Sequence, residues 1–127
     1  MEGRSLVEGH VSGTALVLGE PLSFWGGLDP TTGEIVEANH PQRGEVVTGR
    51  VLVMPSGRGS SSSATVLAES IRLGTGPAGI VLGEIDEIIA IGALVAEALY
   101  GVTTAVFVAS QDGYAAIHDG DHIAFDF

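Results

Sequence analysis

Residues 51–82, VLVMPSGRGSSSSATVLAESIRLGTGPAGIVL, carry the pattern that decides the fold of this chain. An apolar run, Arg50–Met54, is ended by Pro55 and predicts a buried strand. A turn of glycine and serine follows, and Ser60–Leu73 then has the spacing of an amphipathic helix that Gly74 ends as a C-cap. The apolar residues of that helix are Ala64, Leu67, Ala68 and Ile71.

The same alternation continues towards the C-terminus. Ala78–Leu82 predicts a second buried strand, Glu87–Tyr100 a second helix, and Thr104–Val108 a third strand. The second helix is expected to bury the following residues against the core: Ile88, Ile91, Leu94, Val95 and Ala98. Short apolar strands that alternate with helices are typical of an α/β fold with a parallel β-α-β-α-β core.

Additional N- and C-terminal strands flank this core. Thr14–Leu18 is a clear strand signal, a short mixed signal precedes it at residues 7–11, and His122–Phe125 forms a last strand. We expect the N- and C-terminal strands to pair together at one side of the sheet. No linker or internal repeat interrupts residues 1–127, so the sequence predicts a single domain.

One long segment, from Trp25 to Glu45, keeps neither a strand period nor a helix period. Glycines and prolines break it repeatedly. A stretch of that length without regular structure is usually functional in a compact domain.

Charge and cysteine content exclude several classes of protein. The chain has 5 basic and 16 acidic residues, a net charge of −11, and no cysteine. Such a charge repels nucleic acid and anionic membranes. Without cysteine the chain alone holds no disulfide, thiolate zinc site, cysteine nucleophile or iron–sulfur cluster. Charged residues make up only 17% of the chain, below the usual quarter, which indicates that a partner covers part of the surface.

No targeting or membrane segment is visible in the sequence. The first residues lack a basic stretch followed by an apolar run. The longest apolar stretch, Ile88–Leu99, is interrupted by Glu97 and is shorter than the ~20 residues that a bilayer requires. A cytoplasmic location and no membrane partner are therefore expected.

The segment Pro55–Ser63 is the first candidate site, because it joins the end of a strand to the start of a helix. Ligands of open α/β sheets bind at that edge, and free N–H groups and the helix dipole favour an anion there. Gly59 allows close approach of the backbone, and Arg58 can pair with a carboxylate or phosphate. The serine hydroxyls add donors, and one of them could act as a base if its alkoxide is stabilised.

Two known motifs are excluded for the serine segment, and one structural interpretation stays open. The spacing fits neither a P-loop nor a G-x-S-x-G nucleophile elbow. The structural alternative is a flexible turn followed by a helix that the serines cap. A single cap needs only one serine, however, and four follow one another here, at residues 60–63.

The segment that follows the first strands is the second candidate. Trp25 stands beside Gly26 and Gly27, with Asp29 close by and His40 at the far end of the same segment. The tryptophan is either an aromatic plug over one end of the sheet or a site wall or partner contact, and His40 is either solvated or part of the site. The histidines and aspartates at 118–122 indicate a tight turn rather than a metal site, so no metal site is predicted.

These motifs together resemble a known family. The segments that carry the resemblance are Phe24–Asp29, Thr32–Gly33, His40, Gly57–Ser61 and Pro77–Val81. In this order they resemble the small subunit of aconitase X enzymes, and the resemblance covers nearly the whole chain. That subunit is similar to the swivelling domain of aconitases, so the resemblance implies an aconitase-like swivelling β/α domain.

The resemblance also implies an activity and the residues that perform it. In aconitases a Gly-Ser-Ser motif at a helix N-terminus supplies a catalytic serine base, and the matching residue here is Ser60. Gly59, Ser61 and Ser62 would then surround the substrate. Aconitases follow the motif with an arginine where Ser62 stands here, which leaves open whether Arg58 or a partner residue binds the substrate carboxylate.

The family implies a hydro-lyase of two subunits that acts on a small hydroxy acid. Its large subunit contains the cysteines that hold iron, generally as an iron–sulfur cluster, so no cofactor is expected on this chain. One branch dehydrates cis-3-hydroxy-L-proline to Δ1-pyrroline-2-carboxylate, and the other dehydrates 5-phosphomevalonate to trans-anhydromevalonate 5-phosphate. Arg58 and the serine run resemble the first branch more closely, since members of the second tend to have lysine in place of Arg58.

Two other functions are compatible with a swivelling domain: a phosphohistidine carrier and a non-catalytic interaction subunit. Swivelling domains of similar build carry a phosphohistidine, but no histidine stands beside the serine run. A non-catalytic interaction subunit is the other alternative, and it predicts that Ser60 is dispensable for the activity of the complex.

Overall fold

The computed structural model describes residues 1–127, which form six strands and four helical segments. The strands are β1 (Gly3–Val7), β2 (His10–Val17), β3 (Val51–Met54), β4 (Gly79–Leu82), β5 (Ala105–Ala109) and β6 (His122–Asp126). The helical segments are α1 (Phe24–Gly27), α2 (Ser62–Leu73), α3 (Glu87–Tyr100) and α4 (Gln111–Ala115), of which α1 is a turn with non-helical backbone angles at Trp25 and Gly26. None of the helices has the length and apolar character needed to cross a membrane.

One sheet contains all six strands in the order β1-β5-β4-β3-β2-β6. The four central strands, β5, β4, β3 and β2, pair in parallel, whereas β1 and β6 pair antiparallel at the two edges. The parallel β-α-β-α-β core is therefore confirmed, and so is the pairing of the N-terminal strand β2 with the C-terminal strand β6. Residues 1–11 instead form β1 and the start of β2, and β1 lies at the opposite edge.

Apolar side chains are buried on both faces of the sheet, as is typical of parallel strands. On one face α2 and α3 pack against alternate strand residues, for example Leu52 and Ile80. The other face holds a second cluster, in which Phe107 contacts Phe125 and Phe127 with ring centroids 5.7 and 5.3 Å apart. Helices α2 and α3 therefore cover one face of the sheet, and aromatic side chains near the C-terminus, such as Phe125 and Phe127, pack over the other.

The predicted bounds of α3 are confirmed, but the face predicted to be buried is wrong. Asp86 caps the N-terminus, and Gly101 ends the helix with a φ of 70°. The buried residues are Ile89, Gly92, Ala93 and Ala96, whereas Ile91, Leu94 and Val95 are exposed. Apolar residues surround this helix, so its sequence periodicity does not distinguish the two faces.

Small residues select the buried face of α3. A Cβ atom on Gly92 would lie 2.9 Å from the carbonyl oxygen and 3.1 Å from the Cα of Ala64 in α2. The backbones of α2 and α3 therefore approach each other at Gly92 more closely than any larger side chain permits. The large apolar side chains are left on the outside.

The long segment after β2 is ordered rather than extended over the surface. Isolated bridges join Leu28 to Ile35 and Glu34 to Val46, and Ile35 and Val47 belong to the main core cluster. Its turns follow the glycines and Asx motifs, so the absence of periodicity reflected turn chemistry rather than a lack of structure.

Candidate active site

The loop that follows β3 is anchored to the segment before α1. Gly57 forms a parallel bridge with Leu22, and the N–H of Arg58 donates to the carbonyl of Leu22 over 3.0 Å. Gly59 has a φ of +101°, and a Cβ on it would lie 2.8 Å from the Oγ of Ser23. Both the backbone angle and the close neighbour therefore require glycine at this position.

Three consecutive backbone N–H groups of the loop make no hydrogen bond within the chain. They belong to Gly59, Ser60 and Ser61, immediately before the first turn of α2. The N-terminus of a helix of this length adds roughly half a positive charge. The loop is therefore ready to accept a negatively charged group.

The serines divide into two roles. Ser60 is exposed, and its Oγ accepts a long hydrogen bond of 3.3 Å from the N–H of Ser62. Ser61 occupies the N-cap position, but its side chain makes no capping hydrogen bond. Ser63 is buried, and its Oγ accepts from the N–H of Trp25 over 3.3 Å. The expectation that serine side chains cap α2 is thus wrong at Ser61, and the hydroxyls of Ser60 and Ser61 remain available to a ligand.

A small cleft of about 170 Å³ opens beside these serines. Its lining comes from the glycine–serine loop and from the start of α3: Gly57, Arg58, Gly59, Ser60, Ser63, Asp86, Ile88 and Ile89. The cleft therefore lies where the connections that follow β3 and β4 meet, which is the edge expected for a ligand.

Asp86 ties the two walls of the cleft together. One carboxylate oxygen accepts from the N–H of Gly57 over 2.8 Å, and the other accepts from the N–H groups of Ile88 and Ile89 over 3.0 and 3.2 Å. Asp86 is therefore the side-chain cap of the α3 N-terminus. The same side chain also fixes the start of the glycine–serine loop.

Replacement of Asp86 with alanine is expected to destabilise the fold by about 1–2 kcal/mol, because a helix cap is lost. The N–H of Gly57 also loses its acceptor, which loosens the loop. Urea unfolding of the isolated chain measures the first effect. Glu87→Ala is the matched control, since Glu87 is the adjacent exposed acid and makes no side-chain hydrogen bond. Equal stability losses in the two variants would contradict this role of Asp86.

Arg58 is held by acidic and carbonyl groups of the neighbouring segment. Its Nη2 donates to Glu37 over 2.6 Å, to Glu20 over 3.0 Å and to the carbonyl of Pro21 over 2.7 Å. The hydrogen bond to Glu20 and the charges of both carboxylates raise the pKa of Arg58 above its usual range. Its Nε and Nη1 make no hydrogen bond within the chain, so the guanidinium lines the cleft with part of its donors free and most of its charge compensated.

His40 is buried and both of its ring nitrogens are engaged. Nδ1 accepts from the N–H of Gln42 over 3.0 Å, so Nε2 carries the proton and donates to the carbonyl of Glu20 over 3.3 Å. The solvated alternative for His40 is therefore excluded. The ring supports the segment that contains Glu20 and does not line the cleft.

The donor sets in this chain do not fit an iron–sulfur cluster. Such clusters need thiolate ligands, and the chain has no cysteine. Ligand atoms of Glu20, Glu37 and His40 do lie within 4.8 Å of one another. However, Arg58 already pairs with both carboxylates, so the guanidinium supplies the positive charge that this group of residues requires.

In the second candidate segment, Trp25 lies beside the serine loop, whereas Asp29 belongs to a separate turn. Trp25 is 62% exposed and donates its backbone N–H to Ser63, so it stands beside the serine loop and does not plug the sheet. Gly26 has a φ of 78°, and a Cβ on Gly27 would lie 2.9 Å from a carboxylate oxygen of Glu37. Asp29 instead accepts from the N–H and hydroxyl of Thr31, and these hydrogen bonds lower its pKa.

Several residues of the site were not found from the sequence. Asp86 follows β4 at the same sheet edge as the serine loop, and that placement could have revealed it. Glu20 and Glu37 come from segments without periodicity, so nothing in the sequence pairs them with Arg58. The sequence places Ser63 in the serine run and does not distinguish it as the buried one.

The fold and the loop define a β/α domain of the swivel type. In it an exposed serine lies at a helix N-terminus whose free N–H groups can bind an anion. Comparison with known sequences extends this assignment, because the Aconitase X swivel domain profile matches residues 1–126. The chain belongs to this family.

Named relatives fall into two groups. A Pseudomonas aeruginosa protein named cis-3-hydroxy-L-proline dehydratase is 49% identical over 98 residues, which cover 77% of this chain and 17% of that protein. The phosphomevalonate dehydratase small subunit of Methanopyrus kandleri is 47% identical over 91 residues, which cover 72% of this chain and 67% of that subunit. The two groups are about equally similar to the chain.

A solved structure shares the whole architecture. The crystal structure of Thermococcus kodakaraensis aconitase X in its holo form superposes with a TM-score of 0.88 at 30% identity. The match covers 98% of this chain and 89% of that one. By contrast, the chain spans only about a fifth of the cis-3-hydroxy-L-proline dehydratases that it matches, 17% and 21% of their lengths.

Proposed function

We propose that this chain is the swivel part of a cytoplasmic dehydratase and supplies Ser60 as the base of an active site shared with a larger, iron-holding subunit. The observation that carries the proposal is the group of three unpartnered N–H groups around an exposed serine. They stabilise the alkoxide, the negatively charged form of the serine side chain that can accept a proton. The names of the relatives, which are dehydratases, support the same reaction class.

The proposed reaction removes a proton and a hydroxyl group from neighbouring carbons. In cis-3-hydroxy-L-proline the hydrogen on C2 lies next to the carboxylate and the hydroxyl is on C3. Ser60 first loses its hydroxyl proton to solvent. The resulting Oγ alkoxide takes the C2 proton and becomes a hydroxyl again, and the C–H electron pair becomes the C2=C3 double bond. The hydroxyl leaves C3 with its bonding electron pair and takes up a proton from solvent to depart as water, and the resulting enamine tautomerises to Δ1-pyrroline-2-carboxylate. General bases of this kind contribute about 10²–10⁴-fold to a rate.

Departure of the hydroxyl group needs assistance from a metal that this chain does not provide. The residues of the chain do not fit an iron–sulfur cluster, so we propose that cysteines of the large subunit hold the metal. The small-subunit names of the phosphomevalonate relatives support such a division of labour. The role of this chain is then to hold the substrate at the serine loop and to move the proton.

Charge at the cleft favours the amino acid substrate over the phosphorylated one. Arg58 is paired with Glu20 and Glu37, and Asp86 adds a further carboxylate to the lining. Hydroxyproline carries one carboxylate and a cationic amine, and carboxylates near the cleft suit that amine. A phosphate ester brings more negative charge than the free N–H groups and the compensated guanidinium can balance. We therefore propose cis-3-hydroxy-L-proline as the substrate, with 5-phosphomevalonate as the second candidate on the strength of the Methanopyrus kandleri relative.

Purified together with the large subunit of the same organism, the chain is expected to dehydrate cis-3-hydroxy-L-proline and to leave 5-phosphomevalonate unchanged. Product formation is followed by NMR with each substrate in turn. Each subunit alone is the control and is expected to be inactive. Turnover of 5-phosphomevalonate alone would move the chain to the second branch, and turnover of neither would contradict the proposed function.

A further inference from the structure

One face of α3 exposes a continuous stripe of apolar side chains. We call it the outer α3 face, and it consists of Ile91, Leu94, Val95, Ala98, Leu99 and Val102. Ile91 is 51%, Leu94 48% and Leu99 67% exposed. The spacing of these residues places them on one side of the helix and of the turn that ends it. A contiguous apolar stripe of this kind marks an interaction surface in a soluble protein.

The outer α3 face is not a by-product of poor packing. The inner side of the helix uses Gly92, Ala93 and Ala96 to lie close against α2, and all three are buried. Larger apolar side chains are thus kept away from the core and presented outwards. A helix with no partner would gain solubility from polar residues at those positions.

The stripe is continuous with the cleft. Ile88 and Ile89 line the cleft, and Ile91 lies one turn after Ile88 on the same helix. Any polypeptide that closes the cleft over Ser60 therefore reaches the start of the outer α3 face. The Pseudomonas aeruginosa relative provides such a polypeptide, because this chain matches only 17% of its length.

The charges beside the stripe indicate that its partner is a large subunit and not a second copy of this chain. Glu87 and Glu97 are exposed acids of α3 beside the stripe, and the whole chain has a net charge of −11. Two copies that met face to face would bring these carboxylates together, which disfavours self-association. The stripe instead fits a partner that offers an apolar groove edged by lysine or arginine side chains.

We infer that the outer α3 face is the docking surface for the large subunit, which binds it through such a groove. This inference rests on the proposed function, because that function requires a second subunit over the cleft. Leucine and isoleucine at the centre of the stripe supply the apolar contact, while Glu87 and Glu97 orient the partner.

The test introduces a charge into the stripe and measures assembly. Leu94→Glu is expected to weaken binding of the large subunit of the same organism about 30-fold or more, as loss of a central interface residue does. Because Leu94 is exposed, the melting temperature of the isolated chain should stay the same. Val46→Glu is the matched control, since Val46 is 41% exposed outside α3, and it should bind normally. At saturating large subunit, Leu94→Glu should recover the wild-type kcat.

The outcomes separate this inference from the proposed function. Wild-type affinity in Leu94→Glu would overturn the docking surface while leaving Ser60 as the base. A wild-type complex that assembles through α3 yet dehydrates neither substrate would overturn the function and keep the surface. A wild-type chain that sediments as a dimer, and that Leu94→Glu converts to a monomer, would show that a second copy occupies the stripe and would overturn the inference.

Discussion

Replacement of Ser60 with alanine is expected to lower kcat of the assembled complex by about 10²–10⁴-fold, the usual contribution of a general base. The physical reason is that the three free N–H groups of residues 59–61 stabilise an oxygen anion, and alanine offers no oxygen to receive the proton. Ser60 is exposed and its only side-chain hydrogen bond is the long one from Ser62, so the fold and the assembly should be unchanged. Steady-state kinetics at saturating large subunit measures the effect.

Ser61→Ala is the matched variant, because Ser61 is the neighbouring exposed serine and its side chain makes no capping bond. It removes a donor near the substrate and leaves the base in place, so KM should rise while kcat changes by about tenfold at most. Near-normal turnover in Ser60→Ala would instead support a non-catalytic interaction subunit.

Replacement of Gly92 with leucine is expected to destabilise the fold by about 2–3 kcal/mol, the cost typical of overpacking a core. The added Cβ alone would meet the backbone of Ala64 at 2.9–3.1 Å and Leu67 at 3.1 Å. Backbone atoms cannot rotate away as a side chain can, so α3 must move off α2. Urea unfolding of the isolated chain measures the loss.

Ala98→Leu is the control for this change, because it adds the same side chain to an exposed position of the same helix. Its stability should lie within about 0.5 kcal/mol of the wild type. If Gly92→Leu were equally well tolerated, the close approach of α2 and α3 would not hold the fold together as described. The displacement of α3 also moves Ile88 and Ile89, so the cleft should widen along with the loss of stability.

For helix α3, the sequence predicts where the helix begins and ends but not which face is buried. Its ends could be predicted because Asp86 and Gly101 are local signals, a side-chain cap and a left-handed glycine. Its buried face could not, since leucine, isoleucine and valine lie on one side and glycine and alanine on the other. A preference for large apolar residues in the core selects the wrong side when backbone proximity decides the packing.

The candidate active site was likewise predictable only in part. The serine loop was predictable, because a glycine–serine turn between a strand and a helix has a known chemistry at that edge of a sheet. The partners of Arg58 were not, since Glu20 and Glu37 reach it from segments whose course depends on turns and isolated bridges. Trp25 could be placed beside the loop only once the structure gave its contact with Ser63.

Hydrogen exchange at the carbon next to the substrate carboxylate tests the role of Ser60 most directly. The wild-type and Ser60→Ala complexes are incubated in deuterated water with the substrate that the wild type dehydrates, and the signal of that hydrogen is followed by NMR. If Ser60 is the base, the Ser60→Ala complex binds the substrate but leaves the hydrogen in place, while the wild type removes it. Exchange at the wild-type rate in the Ser60→Ala complex would contradict this role of Ser60, because another group would then be the base.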